Sequence, residues 1–410
     1  MDLVNNRFSI QGVDLVELAE EFGTPVYVYD AEKIKEQFDT LKQAFSKVNM
    51  KVKFAAKSLT NLSILKLLRS YGSELDCVSI QEVHLGMRAG FTPDQILYTP
   101  NCVSFEEIKE AAELGVMINL DNISMLEKFG EEFGHDIPVC IRLNPHIMAG
   151  GNKKISTGHV GSKFGISFYQ LPEILKTVER YNLHVVGLHM HTGSDILEAG
   201  VFLQASDILF NAAQNFADLQ FIDFGSGFKV GYKEGDIVTD INELGEKLSE
   251  AFKGFCENYG RELEMWFEPG KYIVSESGYF LARTNVVKKT PFTVFVGVNS
   301  GLNHLIRPMM YDAYHEIFNL SNPTGQEHVY TIVGYICETD TFGLDRRMNE
   351  VREGDIMAFK NAGAYAFSMA SNYNSRFRPA EVLIYNGQAH LIRKREDFED
   401  LIRNQVEVAI

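Results

Sequence analysis

A lysine, Lys57, ends the apolar run VKFAAK (52–57) just before a stretch, SLTN, that reads as a helix start. Such a lysine is either a solvated charge snorkelling from a strand end or, partly desolvated at a barrel mouth, an amine able to attack a carbonyl. Glu268 lies in FEPGK, where Pro269-Gly270 forces a tight turn that fixes the carboxylate's direction. Beside a basic ring nitrogen that carboxylate would keep the nitrogen protonated; otherwise it pairs with a neighbouring Arg or Lys. His189 and His191 form an HxH pair on one side of a strand. The pair suits either a metal or an imidazole lying flat on an aromatic cofactor, with Gly193-Ser194 turning beneath it. No third ligand set stands at the strand ends, so no metal is expected.

The glycine-flanked turn Asp223-Phe-Gly-Ser-Gly227 follows another apolar run. Backbone N–H groups in such a turn hold phosphate. Further on, Arg307 and Tyr311 are four residues apart, a spacing at which both can bind one carboxylate. Cys337 stands beside Glu338, either as a buried apolar residue or as a working thiol.

The elements that must carry these groups alternate in type. From residue 51 to about 270 there are eight short apolar runs, KVKFAAK, ELDCVS, ILYTP, MINLD, VCIRLN, VVGLHMH, FIDFG and MWFEPG, separated by helix-like segments. Strand–helix units in that number predict a parallel (β/α)8 barrel. Lys57, Asp76, Asn101, Asp121, Asn144, His191, Gly225 and Glu268 then fall at or beyond the strands' C-terminal ends, the catalytic face of such barrels, with helix caps expected at Asp121 and Asn144. After about residue 275 the texture becomes β-rich, and Asn386-Gly387 between alternating apolar residues predicts a two-residue hairpin. The expected domains are a barrel over 31–274 and an all-β barrel or sandwich over 275–410 that the N-terminal segment 1–30, with its strand YVYD, joins.

Composition narrows the function classes. The 410 residues are 45% hydrophobic with no span-length apolar run, which argues against a membrane protein. A net charge of −16 without a basic stripe disfavours nucleic acid. Five scattered cysteines without CxxC spacing speak against disulfides and zinc, and the absence of a secretory leader makes the cytoplasm the expected compartment.

FAAK, ELDCVS, ISTGHVGSKFGI, GLHMHTGS, DFGSG, EPG, RPMMY, ICETD and NAGAY occur in this order. In this the chain resembles the pyridoxal-phosphate decarboxylases of the alanine-racemase-like fold, and among them the branch that acts on diaminopimelate. The resemblance implies pyridoxal 5′-phosphate as cofactor, Lys57 as its Schiff-base lysine and His191 as the stacking ring. It implies Ser194, Gly225 and Gly227 at the phosphate, Glu268 at the pyridine nitrogen, and Gly270 and Tyr365 within the cofactor site. Lys271, Arg307, Tyr311, Glu338 and Tyr365 match substrate-contacting positions. Cys337 matches a proton donor that reaches the site from a partner subunit, which implies a homodimer. Two departures stand out: the glycine triplet is GSG, and EPGR has become EPGK, a point charge in place of a bidentate fork. The implied reaction is decarboxylation of meso-diaminopimelate at its D centre to lysine. The alternatives are a decarboxylase of another basic amino acid or polyamine precursor (ornithine, arginine, carboxynorspermidine), a non-catalytic pyridoxal-phosphate-binding protein, and a metal-dependent hydrolase built on His189 and His191.

Overall fold

The computed structural model describes residues 1–147, 158 and 161–410; most of the ISTGHVG part of the 155–166 motif lies outside the described residues. The chain divides into two compact units, one of residues 35–231 and 237–273, the other of residues 1–34, 232–236 and 274–410.

The first unit is a closed barrel of eight parallel strands: Met50–Ala55, Glu74–Cys77, Ile96–Tyr98, Met117–Leu120, Val139–Asn144, Val185–Met190, Phe221–Asp223 and Glu264–Phe267. They pair in chain order, and the eighth closes on the first, Met265 opposite Met50. The strands stop earlier than the apolar runs. Lys57, Asn101, Asp121, His191, Gly225 and Glu268 therefore sit in the connections just beyond strand ends, where side chains can converge. Lys57 itself lies in a single 3-10 turn, Ala56–Ser58.

The intervening helices begin where short polar side chains satisfy their open N–H groups. Asn61 caps Leu62–Ser70, Ser79 caps Ile80–Ala89 and Ser104 caps Phe105–Glu113. The caps expected at Asp121 and Asn144 are not made. Asn122 caps its helix instead, while Asp121 accepts from the Asn101 and Asn122 amides and Asn144 bonds the backbone of His146 and Phe164. Strand-end polar residues are thus spent on tying the connections together.

Along the barrel interior the residues change character with height. Lys51, Glu74 and Glu264 occupy the N-terminal end, where Lys51 Nζ reaches the two carboxylates at 3.3 and 3.1 Å. A compact apolar layer of Leu97, Cys140, Val186, Phe221 and Trp266 follows. Above it the buried groups are polar: Asp76, Thr99, Asn119, Arg142, His189, Asp223 and Glu268.

The second unit is built on a nine-stranded sheet. Its long strand Gly278–Lys289 pairs along its first half with Val26–Asp30 and Ile356–Lys360, and along its second with Val294–Val298. The N-terminal strand Val26–Asp30 also pairs in parallel with Ala380–Tyr385. Asn386-Gly387 does make the two-residue turn, closing Ala380–Tyr385 onto Gln388–Arg393 with Asn386 at φ 52° and Gly387 at φ 71°. Val26, Val28, Leu281, Ile356, Val382 and Ile384 form the core beneath it.

Candidate active site

At the C-terminal mouth of the barrel the Lys57 ammonium lies 2.9 Å from Asp76 Oδ2, at the end of the second strand. Asp76 is wholly buried and also accepts from the Thr99 hydroxyl. Burial, then the charge of Glu268, raise its pKa, and the Lys57 ammonium works the other way.

His191 follows the sixth strand. Its Nδ1 accepts the Ser226 N–H at 3.1 Å, which leaves the ring proton on Nε2. Burial, then the charges of Arg142 and Lys57, lower its pKa to about 3, so the ring is neutral. The loop after His191 and the glycine turn are zipped together: Ile196 N–H donates to the Gly227 carbonyl at 2.8 Å and Ile196 bridges Phe228. Gly225 has φ 63°, and a Cβ there would stand 2.6 Å from His191 Nδ1 and 2.7 Å from the Met190 carbonyl. Only glycine lets the turn lie this close to the imidazole. The middle residue of the triplet, Ser226, directs its N–H to His191, and Ser194 lies two residues before Ile196 in the adjoining loop.

Glu268 is held by its backbone, whose N–H donates to the Gly225 carbonyl at 2.6 Å, while the Pro269 carbonyl accepts from Ala55 at 3.3 Å. Gly270 packs so closely on the Lys57 turn that a Cβ would meet Ser58 Cβ at 2.9 Å. The EPG turn thereby fixes the carboxylate relative to the lysine. Burial opposes ionisation of Glu268, but His189 and Lys57 outweigh it and hold the carboxyl well below its usual range. Its Oε1 is buried without a hydrogen-bond donor among the described residues. Lys271, at the position of the family arginine, pairs with Asp195 at 2.6 Å.

The barrel unit thus brings Lys57, His191, Ser194, Gly225, Gly227, Glu268, Gly270 and Lys271 to one mouth. Arg307, Tyr311, Cys337, Glu338 and Tyr365 belong to the other unit. There Arg307 is buried, donates to the Tyr232 hydroxyl at 3.2 Å, and has no carboxylate partner and no acceptor for Nε among the described residues. Tyr311 ends the one-turn helix that Arg307 begins. Tyr365 takes a positive φ of 54°. Cys337 and Glu338 are exposed: the Asn374 amide donates to Cys337 Sγ at 3.1 Å and the Tyr373 hydroxyl to Glu338 at 2.5 Å.

Sequence reasoning gave no role to Arg142, Asp195 or Asp223. Arg142 is a buried guanidinium 4.8 Å over the Phe164 ring, opposite His189 in register. Its signal was available: a lone charge inside VCIRLN, six consecutive buried residues.

No third ligand for the histidines is expected from the sequence, yet Asp223 and Glu268 come within 4.8 Å of His189. His191 is not part of that group.

The residues at the mouth fit pyridoxal phosphate: an amine at Lys57, a neutral ring at His191, a glycine turn, and a buried carboxylate oxygen awaiting a donor. Residues 31–275 match the family described as pyridoxal-dependent decarboxylase, pyridoxal binding domain. Fold and mouth together define a decarboxylase of that pyridoxal-dependent class. Diaminopimelate decarboxylase of Methanothermobacter thermautotrophicus is 39% identical over 97% of this chain and 95% of its own. The crystal structure of the Methanocaldococcus jannaschii diaminopimelate decarboxylase superposes with a TM-score of 0.91 at 31% identity, covering 99% of this chain and 98% of that one. The Helicobacter pylori enzyme, crystallised with L-lysine, gives 0.88 at 33% identity over 95% and 98%. The chain belongs to the diaminopimelate decarboxylase family.

Proposed function

We propose that this chain removes the carboxylate from the D centre of meso-2,6-diaminopimelate, giving L-lysine and CO2, the last step of lysine biosynthesis. The observation that carries this reading is the placement of Glu268 Oε1, a buried acceptor without a donor among the described residues, in the same mouth as the Lys57 amine and the neutral His191 ring.

Bound pyridoxal phosphate supplies an aldehyde for amines and a protonated ring that takes up the electron pair left when CO2 departs. The protein's part is to bind, orient and manage protons. Lys57 would hold the cofactor through its amine and would give way to the substrate's amine. Asp76, 2.9 Å away, keeps that side chain directed into the mouth. His191, being neutral, would support the cofactor ring without adding charge. Glu268 accepts the ring N–H and, being ionised, keeps the proton there. Backbone N–H groups of the Gly225–Gly227 turn and Ser194 hold the phosphate, with Gly270 and Tyr365 completing the cofactor site.

At the substrate's distal end, Arg307 meets the carboxylate with a fork and Tyr311 with a hydroxyl, while Lys271 adds a point charge. Glu338 takes the distal ammonium. Cys337 returns a proton to Cα. We assign these last two to the partner subunit of a homodimer, in keeping with their exposure in the single chain, and assign the enzyme to the cytoplasm. Among the described residues no helix is long and apolar enough to cross a membrane.

The test is incubation of the cofactor-loaded protein with meso-diaminopimelate, ornithine, arginine and lysine, reading CO2 and the amine product. Lysine formed from diaminopimelate alone is expected. Turnover of a different substrate, or none with cofactor bound, overturns the reading.

A further inference from the structure

His189 is the one histidine of the HxH pair that the function above leaves unused. It is completely buried in the sixth strand, in register with Arg142 on the fifth and Asp223 on the seventh. Its Nε2 lies 3.2 Å from Glu268 Oε2, an ion-pair distance off the line of a directed hydrogen bond, and neither ring nitrogen has another partner among the described residues. The imidazole's polar contact is therefore with Glu268 alone.

A carboxylate this deep is costly to ionise unless charged or polar neighbours compensate it. Lys57 is a poor permanent countercharge, because its ammonium is directed to Asp76 and its amine is the group that the reaction engages. Asp223 is shifted toward its protonated form. Its Oδ1 takes the Gly225 N–H at 2.8 Å, its Oδ2 has no partner among the described residues, and burial followed by the charge of Glu268 raises its pKa well above normal. The two carboxyl groups near this imidazole are driven in opposite directions, and Glu268, whose Oε2 lies 3.2 Å from the ring, is the one pushed toward ionisation.

We infer that His189 is a positioning residue for Glu268: it holds the Oε2 side of the carboxylate, leaving Oε1 to meet the cofactor's ring nitrogen. This rests on the assignment of Glu268 to that nitrogen. The role is separate from His191, whose Nδ1 is committed to the glycine turn.

The experiment loads the full-length enzyme with pyridoxal phosphate labelled with 15N in the ring and reads the nitrogen signal, cofactor retention, kcat and KM. Glu268→Gln should move the signal to that of a neutral ring nitrogen. His189→Phe, which keeps the ring volume without its nitrogens, should move it the same way. It should also lower kcat about 10- to 100-fold, as loss of an outer partner typically does, with little change in KM. The double variant should be no worse than Glu268→Gln alone, since both act on one contact. If His189→Phe does not fold, His189→Ala is read identically. A wild-type signal in Glu268→Gln would overturn the assignment of Glu268 itself. A changed signal in Glu268→Gln with a wild-type signal and rate in the His189 variant would overturn this inference alone. Stoichiometric metal in the purified enzyme that the His189 variant loses would also overturn it, making the group with Asp223 a cation site.

Discussion

Lys271 and Asp195 form a 2.6 Å ion pair between the loop after the sixth strand and the turn after the eighth, with Lys271 largely buried. The lysine that stands in for the family's arginine thus has a carboxylate of its own, one residue beyond Ser194. A substrate carboxylate at Lys271 has to compete with Asp195. Asp195→Asn is expected to release the ammonium and lower KM for diaminopimelate about 3- to 10-fold with kcat little changed, the effect of about 1 kcal/mol of ground-state binding. Steady-state kinetics check this, and an unchanged KM would remove the pair from substrate recognition.

Lys57→Ala is expected to abolish turnover and the visible absorbance of the covalently held cofactor, and to make borohydride trapping fail. Cofactor should still bind through the glycine turn, with weaker retention. A variant that keeps turning over would show that the 57 side chain is not the attacking amine.

Cys337→Ala should cost about 10²- to 10⁴-fold in kcat, the usual contribution of a positioned acid, while cofactor binding stays as in the wild type. If the thiol comes from the partner, mixing Cys337→Ala with Lys57→Ala should restore part of the activity through one intact site per hybrid dimer. No recovery on mixing would place Cys337 in the same chain as the Lys57 it serves.

Much of this was legible in the sequence because the period and the punctuation agreed. Eight apolar runs ending in polar residues define the barrel and its working face, and Asn386-Gly387 defines a hairpin. Lys57, His191 and Glu268 were visible because each ends a run. Arg142, Asp195 and Asp223 were not, since their importance comes from neighbours distant in sequence. Arg142 matters through His191, whose pKa its charge lowers, Asp223 through Glu268, and Asp195 through Lys271, 76 positions away. The caps expected at Asp121 and Asn144 failed for the same reason, as their side chains have tertiary partners that outcompete the adjoining N–H groups.

Acid should unfold the β-rich unit through two neutral histidines. Burial lowers His304 to about 4, and burial with the charge of Arg307 lowers His315 to about 3. Free histidine titrates near 6.5, so their contribution is complete above that pH and is lost as pH falls toward the folded values, by up to about 1.4 kcal/mol per pH unit for each. Urea unfolding monitored between neutral pH and about pH 5 should show a falling midpoint, and His315→Gln should flatten the slope. A slope unchanged by the substitution would mean that His315 is not the group responsible. Asp76 and Asp223, with raised pKa values, act in the opposite sense but belong to the barrel.

Lys53 is completely buried, its Nζ 2.6 Å from Glu74 and 3.9 Å over the Trp266 ring, which itself stacks on Phe221. Lys53→Met keeps most of the volume but removes the charge from both contacts. Glu74 retains Lys51 at 3.3 Å, which limits the damage to about 2–3 kcal/mol of stability. The active mouth lies at the opposite strand ends, so kcat for the folded fraction should be unchanged. Calorimetry and kinetics on the same preparation separate the two effects: a lower kcat in fully folded protein would show that the charge layer at the bottom of the barrel is coupled to the chemistry at the top.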